Sequence, residues 1–488
     1  MKKRIASLLL ALLLTAGLFA GCAKGGDSET TTVPAADTQP DSVAETDEQS
    51  TGDKLGDANF GSDKYVILSR ELTAYEYESS EEDGNIVKDA VTRRNNLIED
   101  RFNVKLEVVK RPGNWAERES FIADVEKAFK SGHLYDLVST HSAYTASLGI
   151  KGFLYNMMSL EDVDFGEKWW CPAYTKNVVY NGAAYTAVGD IGYTLDEFLM
   201  CVFYNKTLAS QYQVEDLYAL VRSQEWTIDK MMEIVVRVSE DVNGNDIPDT
   251  GDVFGLAMSN HSARLAMTVW GAEMTEPGDN GRQKIHLSYD KFFDAYAKLY
   301  DATWSHPKNV CWLTEGSQHV PEFVNDHILF FPERMTDAAR MRDMTSEYGI
   351  LPFPKYDKDQ ENYISSARDA MNAIGIMRTI ENPDMVGKIT EALCMYGLSE
   401  ITPAYYETTL KYRYLNDPDA VYVLDLIRDT LTFEFAMTYT YSLNTLYSLA
   451  GDGIKGQQKD IASSIRSAEK TAPKLLNKIY DAYDKIKG

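Results

Sequence analysis

Cysteine is scarce in this chain, with five residues among 488, and no two of them form a CxxC pair. That scarcity excludes a zinc ribbon and a dense disulfide framework. The signatures of several enzyme classes are also missing, because the sequence has no HExxH, no GxSxG and no GxxxxGK[ST]. Positive charge is in deficit, since 49 Lys and Arg against 74 Asp and Glu give a formal net charge of -25. We therefore expect no binding to nucleic acid or to an anionic surface.

Long apolar runs are rare, and the clearest one lies near the N-terminus. Three cations at positions 2 to 4 precede an apolar stretch over residues 8–14, which is too short to span a bilayer as a mature helix. This pattern predicts a cleavable signal peptide over residues 1–21. Ala20 and Gly21 then lead into Cys22, which resembles the lipobox of bacterial lipoproteins and implies lipid on that cysteine. The alternative is an ordinary secretory signal with an incidental cysteine.

Large apolar residues are almost absent from the next segment, residues 23–62, which is rich in Gly, Ser, Thr, Asp, Glu and Pro. Such a composition cannot bury a core, so residues 22–62 are predicted to be a lipidated N-terminus followed by a disordered linker. Together with Cys22, this linker predicts a protein anchored by lipid on the extracellular face of a cell membrane. A host without a periplasm, that is, a Gram-positive bacterium, suits this arrangement.

The remaining residues, about 425, are numerous enough for two lobes with separate cores. Apolar patterns predict strands at 65–68, 104–108 and 135–138, with helices around 86–98 and 121–129 between them. This βαβαβ order indicates an α/β fold with a parallel sheet. Further strands are predicted at 198–204, 254–258, 328–331 and 373–377.

Two segments near the C-terminus need separate interpretation. Residues 461–486 have a helical apolar stripe, and Pro473 is expected to break that helix. Gly451, Gly453 and Gly456 match GxGxxG, but they follow no strand that begins a βαβ unit. We interpret the glycine motif as a plain loop.

An acidic segment after a predicted helix at 227–239 has the oxygen spacing of a loop that wraps Ca²⁺. Side-chain oxygens occur at positions 1, 3, 5, 9 and 12, and position 7 offers a carbonyl. Because Val253 begins a predicted strand, the loop would be dockerin-like, and the alternative is a solvated acidic turn. The predicted structural calcium ligands are Asp241, Asn243, Asn245, Ile247, Asp249 and Asp252.

The other cysteines and the aromatic residues support weaker expectations. Cys171, Cys201, Cys311 and Cys394 are widely spaced and are predicted to be buried thiols, with one disulfide left open. An aromatic content of 11%, with 30 tyrosines, suits stacking against sugars. The stacking candidates, for each of which core packing is the alternative, are Trp270, Trp304, Trp312, Tyr144 and Phe331.

Five segments in order resemble the extracellular solute-binding proteins of ABC importers, in the carbohydrate-binding, maltose-binding-protein-like group. They are residues 94–109 (RNNLIEDRFNVKLEVV), 131–139 (SGHLYDLVS), 180–208, 226–255 and 349–356 (GILPFPKY). The resemblance implies a type II binding-protein fold, with lobe 1 formed by residues 63–183 and 352–400 and lobe 2 by residues 184–351 and 401–488. It also implies a monomer that closes on a small ligand and presents it to permease subunits.

Ligand contacts in such a fold are expected at strand ends that face the other lobe. These positions are carried over by segment and not by matching residues. They are Thr140, His141, Tyr144, Asp190, Asp196, Glu197, Trp270, Phe331, Glu333, Arg368 and Asp369.

The leading hypothesis is a binding protein without catalytic residues or a catalytic cofactor, which captures a sugar or oligosaccharide. Two alternatives remain. One is a secreted polysaccharide-active enzyme, which would need a close pair of catalytic carboxyl groups. The other is a binding protein for a non-sugar ligand such as a peptide.

Overall fold

Two large β-sheets and one two-stranded sheet organise the chain in the computed structural model, which describes residues 53–80, 84–249, 251–313, 315–406 and 417–486. The predicted signal peptide, Cys22 and most of the predicted linker lie outside these residues. Within the described ranges, no helix is long and apolar enough to cross a membrane. The strands of the described ranges are β1 (Asp63–Arg70), β2 (Val104–Arg111), β3 (Leu137–His141), β4 (Met200–Asn205), β5 (Phe254–Ser259), β6 (Thr275–Pro277), β7 (Gln283–Ile285), β8 (Val310–Leu313), β9 (Ile328–Arg334), β10 (Tyr348–Leu351) and β11 (Asn372–Ile376).

The α-helices of the same ranges cover both sheets and connect their strands. They are α1 (Ile86–Phe102), α2 (Arg118–Ser131), α3 (Ser142–Ile150), α4 (Pro172–Val178), α5 (Thr194–Phe198), α6 (Lys206–Gln211), α7 (Leu217–Arg222), α8 (Ile228–Val238), α9 (Asn260–Val269), α10 (Asp290–Trp304), α11 (Val320–Val324), α12 (Pro383–Tyr396), α13 (Thr402–Tyr405), α14 (Pro418–Asp429), α15 (Phe435–Thr438), α16 (Leu449–Lys455) and α17 (Ala462–Lys485). Short 3₁₀ turns include Trp115–Glu117 and Gly316–His319.

The first sheet has the strand order β11-β3-β1-β2, in which β1 lies parallel to β2 and to β3. This confirms the predicted βαβαβ unit. Helix α1 connects β1 to β2; the Asn85 side chain caps its N-terminus, and Asn103 ends it in a left-handed conformation that asparagine tolerates. Strand β3 is buried along its whole length because it lies between two neighbours, whereas β2 at the edge has exposed positions.

The second sheet has the order β10-β4-β9-β5-β8 and is mixed, since β5 is parallel to β8 and β9 whereas β4 is antiparallel to β9 and β10. Its core packs around aromatic side chains, such as Phe203, Phe330 and Trp226. The first sheet has a separate core that includes Ile67, Leu137 and residues of helix α12. A third cluster packs on the first sheet and includes Leu68, Val138 and Phe121. Separate cores for the two sheets match the predicted two-lobed α/β architecture.

The chain passes between the two sheets at least twice. Ala187 bridges to Ile374 of the first sheet, and the chain then enters the second sheet at Met200. It returns between Leu351, the last residue of β10, and Asn372, the first residue of β11. Leu199 bridges to Ala367, so the two passages pair with each other.

A buried polar network joins these passages to the first sheet. The Glu76 carboxylate accepts hydrogen bonds from the Thr194 amide, at 2.6 Å, and from the Asn372 side chain. Arg70 at the end of β1 donates to the Asn372 side-chain oxygen at 3.1 Å. Because a buried polar group is costly unless it is paired, this network fixes the passages to the first sheet.

The predicted linker ends earlier than the composition indicates, because its last residues contact the folded domain. Leu55 is buried, and the Phe60 amide donates to the Phe102 carbonyl at 2.9 Å. Arg101 donates to the Gly56 carbonyl at 2.8 Å. Residues 54–62 therefore pack beside α1.

Two interpretations of the C-terminal region are wrong. Pro473 lies inside the continuous helix α17, where Leu476 and Ile479 are buried against the domain on the same helix. Tertiary packing of this apolar stripe outweighs the hydrogen bond that proline removes. The GxGxxG segment is not a plain loop, because residues 449–455 form helix α16. A Cβ atom on Gly451 would lie 2.4 Å from Cγ of Arg264, so glycine there lets α16 pack closely on α9.

Candidate ligand-binding site

The carboxyl ends of strands from both sheets meet at one group of polar and aromatic side chains. Strand β3 ends at His141, and β5 leads directly into helix α9. The hydroxyl of Ser142 donates to the Asp369 carbonyl at 2.8 Å, which joins the first sheet to the returning passage. We define the interlobe cluster by its members, which are Trp115, His141, Tyr144, His261, Arg264, Arg368 and Asp369.

An aromatic platform forms one side of the cluster. The rings of His141 and Tyr144 are stacked, with centroids 4.7 Å apart and an interplanar angle of 13°. The Trp115 ring lies 5.5 Å from that of His141 and is 42% exposed. A capping box between Asn114 and Glu117 builds the short turn that holds Trp115 in place. The platform thus offers a partly exposed apolar face beside polar groups.

His141 is uncharged at neutral pH. Burial is the main cause that lowers the pKa of its imidazole, to about 3, with Arg70 and Arg368 acting in the same direction. Its Nδ1 accepts a hydrogen bond from the Ala143 amide at 3.2 Å, so the proton of the neutral ring lies on Nε2. His141 therefore has one N–H donor at the carboxyl end of β3.

His261 is also neutral, but its proton lies on the other ring nitrogen. Arg368 Nη2 lies 2.6 Å from His261 Nε2, and because arginine can only donate, this histidine nitrogen must accept. Burial, followed by the charges of Arg368 and Arg264, lowers the pKa of His261. Its Nδ1 therefore bears the proton and lies 3.6 Å from Glu315 Oε2.

Asp369 is the ionised acceptor of the cluster. Burial acts to raise the pKa of its carboxyl group, but Arg264, His141 and Arg368 together outweigh burial and lower it. Arg264 Nη1 lies 3.9 Å from Asp369 Oδ2. A carboxylate with little direct pairing suits acceptance of hydrogen bonds from ligand hydroxyls.

Glu333 adds a buried carboxyl group at the end of β9. One of its oxygens lies 3.2 Å from Nε of Arg334, and the other has no hydrogen-bond partner among the described residues. Burial raises the pKa of Glu333, and Arg334 opposes this effect. A Cβ atom on Gly316 would lie 1.8 Å from Glu333 Oε2, so only glycine permits this approach of the loop after β8.

Six of the predicted ligand residues lie in or beside the interlobe cluster, and five lie elsewhere. Arg368, Asp369, His141 and Tyr144 belong to it. Thr140 precedes His141 in β3, and Glu333 is linked to the cluster through its charge interaction with Arg368. The residues that the structure does not bring to the cluster are Asp190, Asp196, Glu197, Trp270 and Phe331.

Three acidic residues of the first passage have other partners. Asp190 accepts from the Thr402 hydroxyl at 2.8 Å, and Asp196 lies 3.5 Å from Nε of Arg428. Both carboxyl groups border a separate cavity of about 330 Å³. Burial raises the pKa of Asp190 to about 7. The carboxylate of Glu197 accepts from the Tyr75 hydroxyl.

Two predicted stacking residues, Trp270 and Phe331, are core residues in the structure, whereas Trp304 and Trp312 are half-buried and pack against each other with ring centroids 5.4 Å apart. Trp270 is buried, and its indole nitrogen donates to the Pro354 carbonyl at 3.0 Å. Phe331 is buried between Phe203 and Phe323. These positions are buried because β9 is central in its sheet and α9 packs on the same core, so their rings cannot stack on a ligand in the cluster.

Sequence reasoning missed several members of the site. Trp115 follows β2, His261 and Arg264 lie in the first turns of α9 after β5, and Glu315 follows β8. The strand-end rule used for His141 and Arg368 applies equally to these loops. It would have selected Trp115, which is the first tryptophan after the predicted strand at 104–108.

The predicted calcium loop is closed by hydrogen bonds of its own. Oxygens of Asp241 accept from the amides of Gly244 and Asp246, both at 2.7 Å, and Asn245 donates to Asp249 at 2.7 Å. Helix α8 and strand β5 flank the loop as predicted. In the described ranges, no three His, Cys, Asp or Glu side chains converge as a metal site. Calcium binding therefore stays a prediction.

The four cysteines outside the N-terminal region are free thiols. Cys171, Cys201 and Cys394 are buried, and Cys311 is half-buried. No disulfide joins any of the four, so the option of one disulfide is not realised.

Comparison with known proteins gives matches in structure alone. Neither the family models nor the curated sequences that were compared with this chain give a match. Among solved structures, the sugar-binding protein MalE from Xanthomonas citri aligns with a TM-score of 0.60 at 12% identity, over 87% of this chain and 100% of that one. The cyclic alpha-maltosyl-1,6-maltose binding protein of Arthrobacter globiformis gives 0.59 at 11% identity, over 85% and 99%.

A third solved structure agrees with these two. An ABC substrate-binding protein from Listeria monocytogenes, in complex with cycloalternan, aligns with a TM-score of 0.56 at 12% identity, over 85% of this chain and 99% of that one. The resemblance read from the sequence is thus confirmed in the fold, although at these identities the likeness concerns the fold alone. The chain has the two-lobed α/β fold of the sugar-binding solute-binding proteins of ABC transporters.

Proposed function

We propose that this chain is the extracellular substrate-binding component of an ABC importer, and that it binds a saccharide at the interlobe cluster for delivery to a permease. The observation that carries the proposal is the aromatic platform of Trp115, His141 and Tyr144 beside the ionised Asp369. A sugar presents apolar C–H faces and hydroxyl edges, so it needs a flat apolar surface next to donors and acceptors. The solved structures with this fold include proteins named for sugars.

The cluster and its neighbour Glu315 offer both acceptors and donors to a ligand. The carboxylates of Asp369 and Glu315 can accept hydrogen bonds, and the remaining N–H groups of His141 and His261 can donate them. Because both imidazoles are neutral, each offers one fixed donor and places no additional charge on the ligand. A hydroxyl both donates and accepts, so it can satisfy groups of both kinds.

Binding is tested by titration calorimetry of the purified protein against a panel of mono- and oligosaccharides and a set of short peptides. We expect heat of binding and thermal stabilisation with at least one saccharide. A Kd in the micromolar range or tighter for a peptide, with no response to any saccharide, would contradict the proposal. Asp369→Asn should weaken saccharide binding, whereas Asp343→Asn, at a highly exposed position, is the matched control.

A polysaccharide-active enzyme is the second candidate, and one observation favours it. Glu333 has a raised pKa and Asp369 a lowered one, as in the acid and nucleophile or base pairs of glycoside hydrolases. Incubation with the same oligosaccharides, followed by chromatography of the products, separates the two candidates. We expect bound saccharide to be recovered intact, and hydrolysis that Glu333→Gln abolishes would establish the enzyme instead.

Anchoring is proposed on the basis of the N-terminal sequence. Lipid on Cys22, followed by a linker, would hold the binding domain near its permease. In a bacterial host, Cys22→Ser should release the protein from the membrane fraction into the medium. Retention of the variant in the membrane fraction would contradict lipid anchoring.

A structural calcium ion is proposed for the loop between α8 and β5. The loop would offer carboxylate, amide and backbone oxygens from residues 241–252, which is the donor chemistry that Ca²⁺ prefers. The role of the ion would be to hold the entry to strand β5.

A further inference from the structure

Several guanidinium groups act on the proposed ligand site, and few of them pair directly with a carboxylate. The charges of Arg70, Arg264 and Arg368 all act on His141, and Asp369 is the carboxylate that opposes them there. Arg70 is engaged elsewhere, because it donates to the Asn372 side chain and to the Ala370 carbonyl. Arg264 and Arg368 therefore share Asp369, and the charge of Glu333 acts on Arg368 as well.

Arg368 lacks a close anionic partner among the described residues. Its Nη2 donates to a neutral imidazole, that of His261 at 2.6 Å, and its Nε is buried without a hydrogen-bond partner among the described residues. No carboxylate of the described ranges lies within 4.0 Å of its guanidinium nitrogens, whereas Arg334 beside it is 2.9 Å from Asp337. Only the more distant carboxylates of Glu333 and Asp369 stabilise its charge. A buried charge is costly unless it is paired, so an anion that arrives with the ligand would complete the pairing of Arg368.

Arg264 adds a second guanidinium with spare donors. Its Nη1 donates to the Ser448 hydroxyl at 3.0 Å and lies 3.9 Å from Asp369, while its buried Nε has no hydrogen-bond partner among the described residues. A fork of N–H groups that point into a site suits the planar oxygens of a carboxylate or the oxygens of a sulfate.

Two helices begin beside members of the cluster. Helix α3 (Ser142–Ile150) begins immediately after His141, and helix α9 (Asn260–Val269) contains His261 and Arg264 in its first turns. The N-terminus of a helix bears partial positive charge and stabilises an anion. Both sheets thus contribute positive potential to the cluster, although the chain as a whole has a net charge of -25. Distant charges are screened beyond about 8 Å at physiological salt, so the local groups dominate.

We propose that the preferred ligand is an acidic saccharide, a sugar with a carboxylate or a sulfate ester, whose anionic group binds Arg368 and Arg264 while its ring stacks on Trp115. This inference rests on the proposed function, because it names the ligand class of the same site. The observation behind this inference is an aromatic platform that lies beside two incompletely paired guanidinium groups.

The test is calorimetry of the purified protein with four probes. They are trigalacturonate, its fully methyl-esterified form, a sulfated trisaccharide and neutral maltotriose. The ester keeps the shape of the acid and removes its charge. Because hydrogen bonds to charged groups are worth about 1.5–3 kcal/mol, we expect the acid to bind about 10- to 150-fold more tightly than the ester. Preference for the sulfated probe over trigalacturonate would identify sulfate as the anion, and the reverse order would identify carboxylate.

Variants assign the preference to Arg368. Arg368→Gln should bring the affinities for acid and ester within about threefold, whereas Arg368→Lys keeps the charge and should retain part of the preference. Arg237→Gln, which removes an exposed guanidinium paired with Glu215, is the control and should leave the ratio unchanged. Thermal denaturation verifies that each variant is folded.

The outcomes separate this inference from the proposed function. Equal or tighter binding of maltotriose or the ester overturns the acidic ligand and leaves saccharide binding intact. An acid preference that survives Arg368→Gln in a folded protein overturns the role of Arg368. Absence of binding to all four probes, together with no response to the wider saccharide panel, contradicts both.

Discussion

Replacement of Trp115 by alanine tests the aromatic platform most directly. The ring is 42% exposed, and an aromatic side chain buries roughly 150–250 Å² in total, so about 100 Å² remains for a ligand to cover. At about 25 cal/mol per Å², covering this area contributes about 2.5 kcal/mol, which corresponds to roughly 70-fold in Kd. Part of the ring edge stays solvated in a complex, so we expect Trp115→Ala to weaken saccharide binding by about 10- to 70-fold.

The measurement is the Kd of the best saccharide of the panel, determined by calorimetry for the wild-type protein and for each variant. Met158→Ala is the control, since Met158 has a similar exposure of 44%, lies in another 3₁₀ turn and has its amide bonded to the Asn156 side chain, outside the interlobe cluster. Its Kd should stay within about twofold. If Trp115→Ala changes the Kd by less than about threefold while the protein stays folded, the platform does not bind the ligand.

Three further predictions concern the surroundings of the site and the stability of the fold. Gly316→Ala places a methyl group 1.8 Å from Glu333 Oε2, so we expect a loss of about 1–3 kcal/mol in unfolding free energy and weaker saccharide binding. An unchanged unfolding free energy together with an unchanged Kd would refute the close approach. Burial raises the pKa of the Glu434 carboxyl group to about 8. The protonated side chain therefore contributes its full stability to the fold below its unfolded pKa near 4.5, and this stability is lost as the pH rises towards 8. Glu434→Gln should therefore raise Tm at pH 8 and leave it nearly unchanged at pH 4.5, and the reverse order would disprove this sign. EDTA should lower Tm and added Ca²⁺ restore it if the loop at 241–252 holds calcium, and a chelator without effect counts against that proposal.

The sequence predicted the four strands of the first sheet and three of the five strands of the second, because these strands are continuous apolar or alternating runs, but it missed β8 and β10. Residues 65–68, 254–258 and 328–331 all lie within strands of the structure. Local patterns failed where tertiary contacts decide the conformation. Pro473 continues a helix because buried apolar residues anchor that helix on both sides of the proline. Gly451 also lies in a helix, where its lack of a side chain lets Arg264 approach closely.

Only part of the site was predicted, because some of its contacts join residues that are distant in the chain. His141, Tyr144, Arg368 and Asp369 follow from the rule that functional side chains lie at strand ends. Trp270 and Phe331 also satisfy that rule in the sequence, but their burial depends on neighbours that are distant in the chain. Partners such as His261 and Arg368 meet only when both sheets have formed, and no local pattern encodes their contact.

The members of the interlobe cluster belong to three separate parts of the fold. The platform belongs to the first sheet, His261 and Arg264 to the second, and Arg368 and Asp369 to the passage that connects them. A ligand that contacts all three can make its full set of interactions in only one arrangement of the sheets. Its affinity and the relative position of the two lobes are therefore linked thermodynamically, and a substitution in the passage can change the apparent Kd without removing a single ligand contact.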